Sequence, residues 1–264
     1  VPIAPSVAAR SMIGRVSLIM GAFQLGESGL GITEISRRSG LAKATVSRIV
    51  HELVEHGFLE PCGREFRVGL RFFELGEQAS RPHELRRLAL ASMSDLRRAT
   101  GQTVHLAVLD GTEVVYVVKL RSRDAPPLGS RVGGRLPTHA TAVGKALLAF
   151  ADPATVNRVV AGGLTRLGPR TITDPAALHR ELERIRREGV AYETEESGPT
   201  VLCAAAPVQH RPRGQVIAGL SVSTRVGHAD VASLGLAVRT AALALGRQAA
   251  LLPALASEEW GRIG

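Results

Sequence analysis

Two groups of residues in this chain have types and spacings that could do chemistry. The first lies in ITEISRRSGLAKATVSRIVHEL, Ile32 to Leu53. Leu41, Val46, Ile49, Val50 and Leu53 recur at helical spacing, which leaves Ala44, Thr45, Ser47, Arg48 and His51 on or near the opposite face. Hydroxyls and a guanidinium on a free helix face are groups that can read base edges. Between Ile35 and Val50 the charged residues are Arg37, Arg38, Lys43 and Arg48, with no acid among them, which suits a phosphate-lined groove. The second group is Ser221 with Ser223. Two apart on a strand, they point to one face and offer two hydroxyls to a ligand. The alternative for such hydroxyls is that they satisfy backbone groups in a buried sheet.

Enzyme readings fail on spacing. Gly144-Lys145 would need a glycine where His139 stands and Ser or Thr where Ala146 stands to form a phosphate loop. The segment Gly219 to Ser223 begins like a nucleophile elbow but ends in Ser and reads as a strand. Glu195 and Glu196 are adjacent, so on a strand they face opposite ways. His105 and His139 lack further metal ligands at fixed spacing and fit hydrogen-bonded core or pocket-wall roles. No catalytic residue, metal site or cofactor is expected. A rival reading keeps the winged helix for protein contacts alone, beside an enzyme or metabolite-binding domain.

These residues need elements to hold them. Ser36 is small where two helices cross, and Gly40 can take the left-handed conformation that ends the first of them. GFLEPCGREFRVGL, Gly57 to Leu70, alternates about a turn near Cys62-Gly63 and predicts a hairpin, so the N-terminal part reads as a winged helix-turn-helix. Its reading helix runs from Ala42 or Lys43 to His56. Lys43, Ala44, Thr45, Ser47 and Arg48 then face DNA, with Thr45, Ser47 and Arg48 nearest the bases, and Lys43 together with Arg64 and Arg67 of the wing nearer the phosphates. Ser11 is a plausible N-cap for a supporting helix with an apolar stripe of Ile13, Val16, Ile19, Met20 and Phe23. Residues 71–100 predict a helical linker interrupted at Pro82, with an apolar side around Leu85 to Ala99 that could pair with a second subunit. From Thr103 the period becomes alternating. Helices are expected near Thr141–Phe150, Pro153–Val160 and Pro175–Arg187, with strands at Ala191–Glu195, Val201–Gln209 and Val216–Ser223, before a long helix from about Asp230. This order lacks a βαβ rhythm and implies an α+β fold with an antiparallel sheet flanked by helices.

Composition agrees. With 264 residues and 45% apolar content the chain can build about two cores. The net charge of +9 is spread over the whole chain, so local pattern rather than bulk basicity marks the DNA-binding end. Aromatics are only 3%, which disfavours the stacking platforms of single-strand binders and favours duplex DNA. Cys62 and Cys203 form no CxxC pair and fit a reducing cytoplasm, and the apolar run Val16 to Leu25 is too short to span a bilayer.

The chain resembles the isocitrate lyase regulator (IclR) family of bacterial transcription factors. Besides the helix-turn-helix, the resemblance rests on GQTVHLAVLDGTEVVYVVKL (Gly101 to Leu120), GGRLPTHATAVGKALLAF (Gly133 to Phe150), IRREGVAYETEE (Ile185 to Glu196), and CAAAPV followed by AGLSVST (Cys203 to Val208, Ala218 to Thr224). It implies a winged helix-turn-helix over residues 1–70, a helical linker over 71–100 and a GAF/PAS-like effector domain over 101–264. It also implies a homodimer or homotetramer that binds double-stranded operator DNA and answers to a small organic acid or aromatic metabolite. The family's effector pocket falls here on the backbone amides of Ala142 and Val143, on Glu193, Cys203, Ser221 and Ser223, and on the apolar Leu128 and Val201. Two departures are visible. Glu193 replaces the family's usual Asp, and Thr200 stands where the family commonly has Gly.

Overall fold

The computed structural model describes residues 11–23, 27–78, 80–123, 128–210 and 214–251, with the side chains of 80–82 outside that description. The expected loose tail, residues 1–9, lies outside the described residues. The chain divides at Ser80/Arg81 into two units.

The first unit is built on three helices and a hairpin. Helix α1 (Met12–Gly21) starts at Ser11, whose side chain accepts from Gly14 N–H at 3.0 Å. Helices α2 (Ile32–Ser39) and α3 (Lys43–Glu55) follow, then strands β1 (Leu59–Cys62) and β2 (Glu65–Val68). Gly40 ends α2 at φ 70°, and Ser36 Oγ donates to Leu41 O at 2.6 Å across the turn. Ile19, Ile35, Val46, Ile49, Val50 and Leu59 close one core. Ile13 does not belong to it: at 78% exposure it points away from the stripe expected of α1, and Phe23 lies beyond the helix end. Leu30 adds a bridge to Phe66 that pins the wing, with N–H to O distances of 2.8 and 2.9 Å.

The region read as a separate linker is divided between the units. Helix α4 (Arg71–Glu77) belongs to the first, whereas α5 (Ser80–Thr100) packs into the core of the second. Pro82 does not interrupt α5. It stands in the first turn, where amides have no intrahelical acceptor and a missing N–H costs nothing. The apolar side expected to meet a second subunit is also reassigned, because Leu85, Ala89, Met93 and Leu96 are buried against this chain's own sheet.

The second unit holds a six-stranded antiparallel sheet in the order β5-β4-β3-β8-β7-β6. Its strands are β3 (Thr103–Asp110), β4 (Glu113–Leu120), β5 (Arg135–Pro137), β6 (Ala191–Thr194), β7 (Val201–His210) and β8 (Gln215–Arg225). On one face α5 and α9 (Val231–Ala249) cover Val104, Leu106, Ala204, Leu220 and Val222. On the other, α6 (Ala142–Leu148) and α8 (Pro175–Glu188) pack with α7 (Pro153–Ala161) over Ala107, Cys203 and Ala205. A 3-10 turn, Thr138–Ala140, leads into α6. Among the described residues no helix is long and apolar enough to cross a membrane.

Candidate functional site

The face of the sheet under α6 carries two rows of side chains fixed by strand register. One row is Glu193, Cys203, Ser223 and Thr103; the next is Ala205, Ser221, His105 and Lys119. Directly opposed residues point to one face, so polar groups from β6, β7, β8, β3 and β4 meet on a single floor. Helix α6 comes close to this floor because Gly219 has no side chain, and the turn Thr138–Ala140 folds tightly against the start of α6 because Gly144 has none. A Cβ at Gly144 would stand 2.5 Å from Thr138 Cα and Thr141 Oγ1, and one at Gly219 would stand 2.5 Å from Val143 Cγ2.

Between floor and helix lies a cavity of about 210 Å³. All eight residues expected from the resemblance, Leu128, Ala142, Val143, Glu193, Val201, Cys203, Ser221 and Ser223, line it. The sequence reading missed Tyr116, Ser130, Thr141 and Ser197, left His105 between core and wall, and named Thr200 as a departure from the family pattern that alters the pocket mouth. His105 alternates with Thr103 and Ala107 on β3, so register would have found it, whereas Tyr116 reaches the same face as Lys119 only through the bulge at Leu106/Ala107, which strict alternation does not show. Ser130 and Ser197 lie in loops and carry no such signal.

The electrostatics of the wall differ from the expected pair of free amides. Glu193 Oε2 accepts from Ala142 N–H at 3.1 Å, and its Oε1 accepts from Ser197 N–H at 2.8 Å and from the Ser197 hydroxyl. The Ala142 amide is therefore committed to Glu193 rather than open to a ligand. Glutamate, one methylene longer than the expected Asp, spans the gap from β6 to the helix start. Thr141 Oγ1 caps Gly144 N–H at 3.0 Å, which leaves the Val143 N–H without a protein acceptor among the described residues. The Tyr116 hydroxyl and Ser221 Oγ also have no hydrogen-bond partner among the described residues, although Tyr116 is 5% exposed and Ser221 buried. Burial, with the charges of Cys203 and Glu193 behind it, pushes the Tyr116 phenol well up, so it remains a donor. Burial also pushes the Cys203 thiol up, with Glu193 adding to it, and Cys203 donates to Ser223 Oγ at 3.0 Å. His105, buried and near Lys119, is held down to about 3 and is neutral.

Behind Glu193, Lys145 is 1% exposed and binds Glu196 through both oxygens at 2.6 and 2.8 Å, with Glu181 at 3.6 Å. This pair anchors the loop from Glu195 to Thr200, which closes the cavity with Ser197, Gly198, Pro199 and Thr200. Thr200 adopts φ 63°, a left-handed conformation that accounts for glycine as the commoner residue there.

On the first unit, Lys43, Ala44 and Arg48 are exposed along one side of α3, with Thr45 and Ser47 half-buried among them. The basic surface is smaller than its sequence suggests. Glu34, just outside the acid-free stretch, takes hydrogen bonds from Arg37 and Arg38, which hold it at about 2, and Glu27 also pairs with Arg38. Arg67 is tied to Glu60 at 2.9 Å, whereas the acid nearest Arg48 is Glu52 at 3.8 Å. Lys43 and Arg64 make no ion pair among the described residues. His51 meets Phe66 edge to face at 6.0 Å and couples α3 to the wing. No group of three or more His, Cys, Asp or Glu among the described residues could hold a metal ion.

A winged helix with a bare polar reading face, on the same chain as an α+β domain enclosing a donor-lined cavity, defines a ligand-responsive transcription regulator. Residues 13–61 match the IclR helix-turn-helix domain and residues 78–247 match the bacterial transcriptional regulator IclR C-terminal family. The chain belongs to the IclR family of transcriptional regulators, which bind DNA through the helix-turn-helix and an effector through the C-terminal domain. It is 36% identical over 241 residues to the HTH-type transcriptional regulator XynR of Escherichia coli K12, covering 89% of this chain and 95% of that one. It is 37% identical to the regulator KdgR of the same organism, over 80% and 82% of the two chains. Among solved structures, an IclR homolog of Microbacterium hydrocarbonoxydans in complex with 4-hydroxybenzoate matches with a TM-score of 0.82 at 32% identity, over 90% of this chain and 98% of that one.

Proposed function

We propose that the cavity under α6 is where this regulator takes its effector, and that the effector is a small organic acid or aromatic acid. The observation that carries this is the convergence of six strands and a helix start on one cavity of about 210 Å³ whose Tyr116 and Ser221 hydroxyls have no hydrogen-bond partner among the described residues. Leu128 and Val201 give an apolar wall for the remainder of the ligand. The similar structure that holds 4-hydroxybenzoate makes that acid the first molecule to try. On the DNA side, α3 enters the major groove with Thr45, Ser47 and Arg48 nearest the bases and Ala44 beside them, and Lys43, Arg64 and Arg67 lie toward the phosphates. One winged helix buries little DNA surface, so the regulator acts as a symmetric homodimer or homotetramer on half-sites about one helical turn, or a multiple, apart. In a gel shift with DNA upstream of its own gene, binding weakens steeply with salt. Calorimetry with 4-hydroxybenzoate and other small acids tests the cavity. Loss of binding in Ser221→Ala with Ser223→Ala supports it, and unchanged affinity rejects it.

A further inference from the structure

The cavity floor has an electrical direction. Glu193 stands on β6, and Lys119 stands on β4, about 19 Å away at the usual spacing between strands. Lys119 does not line the cavity, but its Nζ donates to Ser130 O at 2.6 Å and to Ser130 Oγ at 3.2 Å. The Ser130 Oγ to His105 Nε2 contact at 2.9 Å admits either donor, and with Ser130 Oγ already accepting from Lys119 the arrangement in which the hydroxyl donates to the ring gives its hydrogen an acceptor. The neutral ring then carries its N–H on Nδ1, which faces Ser223 Oγ at 3.4 Å. Cys203 Sγ donates to the same oxygen at 3.0 Å. Two donors on Ser223 Oγ leave only its hydrogen, aimed away from both, for a ligand. At the other side the two oxygens of Glu193 accept three hydrogen bonds and retain room for a fourth. A carboxylate placed there is repelled, and a ligand hydroxyl is welcomed.

Resting on the reading of this cavity as the effector site, we propose that Lys119 is a positioning residue that fixes the ligand's orientation. Through Ser130 and His105 it sets the Ser223 hydroxyl as a donor, so that Ser221 and Ser223 seat a carboxylate while Glu193 takes a hydroxyl at the far side. The site therefore selects a hydroxycarboxylate lying across the strands.

The test has two arms on the full-length protein. In the first, ¹⁵N shifts of the His105 ring are read without ligand. The Nδ1–H tautomer is expected in the wild type and is lost or mixed in Lys119→Met and Ser130→Ala; a wild type in the Nε2–H form overturns the relay. In the second, calorimetry compares 4-hydroxybenzoate with its primary amide. Lys119→Met weakens the acid about tenfold and the amide by less than about threefold, while Lys119→Arg restores the acid. Equal losses for both molecules overturn the placement of the acid end. Acid binding that responds to Ser221→Ala with Ser223→Ala but ignores Lys119→Met sinks the relay alone, whereas indifference to the serines sinks the cavity reading beneath it. A wild type that binds neither 4-hydroxybenzoate nor glycolate at millimolar concentration overturns the ligand class. Unchanged operator affinity without ligand shows that each variant is folded.

Discussion

Lys145→Met tests how the cavity's loop is held. Lys145 and Glu196 are both buried and meet through two oxygens, and Glu196 belongs to the loop that closes the cavity. Burial raises the Glu196 carboxyl to about 7; Lys145 opposes that rise, and Glu193 and Glu181 add to it. A carboxyl raised above its unfolded value costs stability as pH climbs from about 4.5 to about 7, and the cost levels off once the folded group ionises. Removing Lys145 lifts the folded value further, so the variant goes on losing stability above pH 7 at about 1.4 kcal/mol per pH unit. By pH 9 the deficit relative to wild type is about 3 kcal/mol, the scale of a buried pair broken on one side. Glu181 keeps its pairing to Arg184 and adds little. Urea unfolding of the full chain at pH 6, 7, 8 and 9, followed by circular dichroism, measures this. Replacing Glu196 by Gln in the same variant should remove most of the pH dependence. A deficit that is flat from pH 6 to 9, or below about 1 kcal/mol at pH 9, refutes the reasoning.

Thr200→Gly should stabilise by roughly 1 kcal/mol, since a β-branched residue at φ 63° gives way to one that adopts it freely; an unchanged or lower urea midpoint contradicts this. Gly144→Ala should cost about 2–3 kcal/mol and loosen the Ala142–Glu193 bond, because α6 must shift to admit the methyl; a normal midpoint with normal exchange of the Ala142 amide argues against that contact. Arg48→Ala should lower discrimination at one base pair about tenfold. Arg67→Ala, whose partner is Glu60, should weaken all sequences alike and flatten the salt slope by less than about one unit; base-specific loss at Arg67 would reverse these roles.

What the sequence disclosed follows the range of the forces involved. Local signals were legible: Ser11 caps the helix that follows it, and Gly40 ends its helix in the left-handed region. The alternation of β3 and β4 marked a hairpin, and the lack of a βαβ rhythm implied the antiparallel sheet, whereas the three-residue β5 is too short to show a period. The amphipathic face of α5 announced burial but not its partner, which is this chain's own sheet rather than a second subunit. The helix stripe misplaced Ile13, which lies in the first turn, turned away from the core. In the cavity, the family resemblance placed Ser221 and Ser223, and their spacing showed only that they share a face. The capture of the Ala142 amide by Glu193, 51 residues away, depends on how α6 docks on β6 and leaves no trace in local pattern.

In the proposed function, one cavity in the second unit governs operator binding by the first. Reciprocal titration tests it most directly: operator affinity is measured with and without a bound acid, and the acid's affinity with and without operator, in wild type and in Ser221→Ala with Ser223→Ala. The same factor is expected in both directions for the wild type, and none in the double variant, whose ligand-free operator affinity stays normal. A double variant that still transmits the full ligand effect would contradict it.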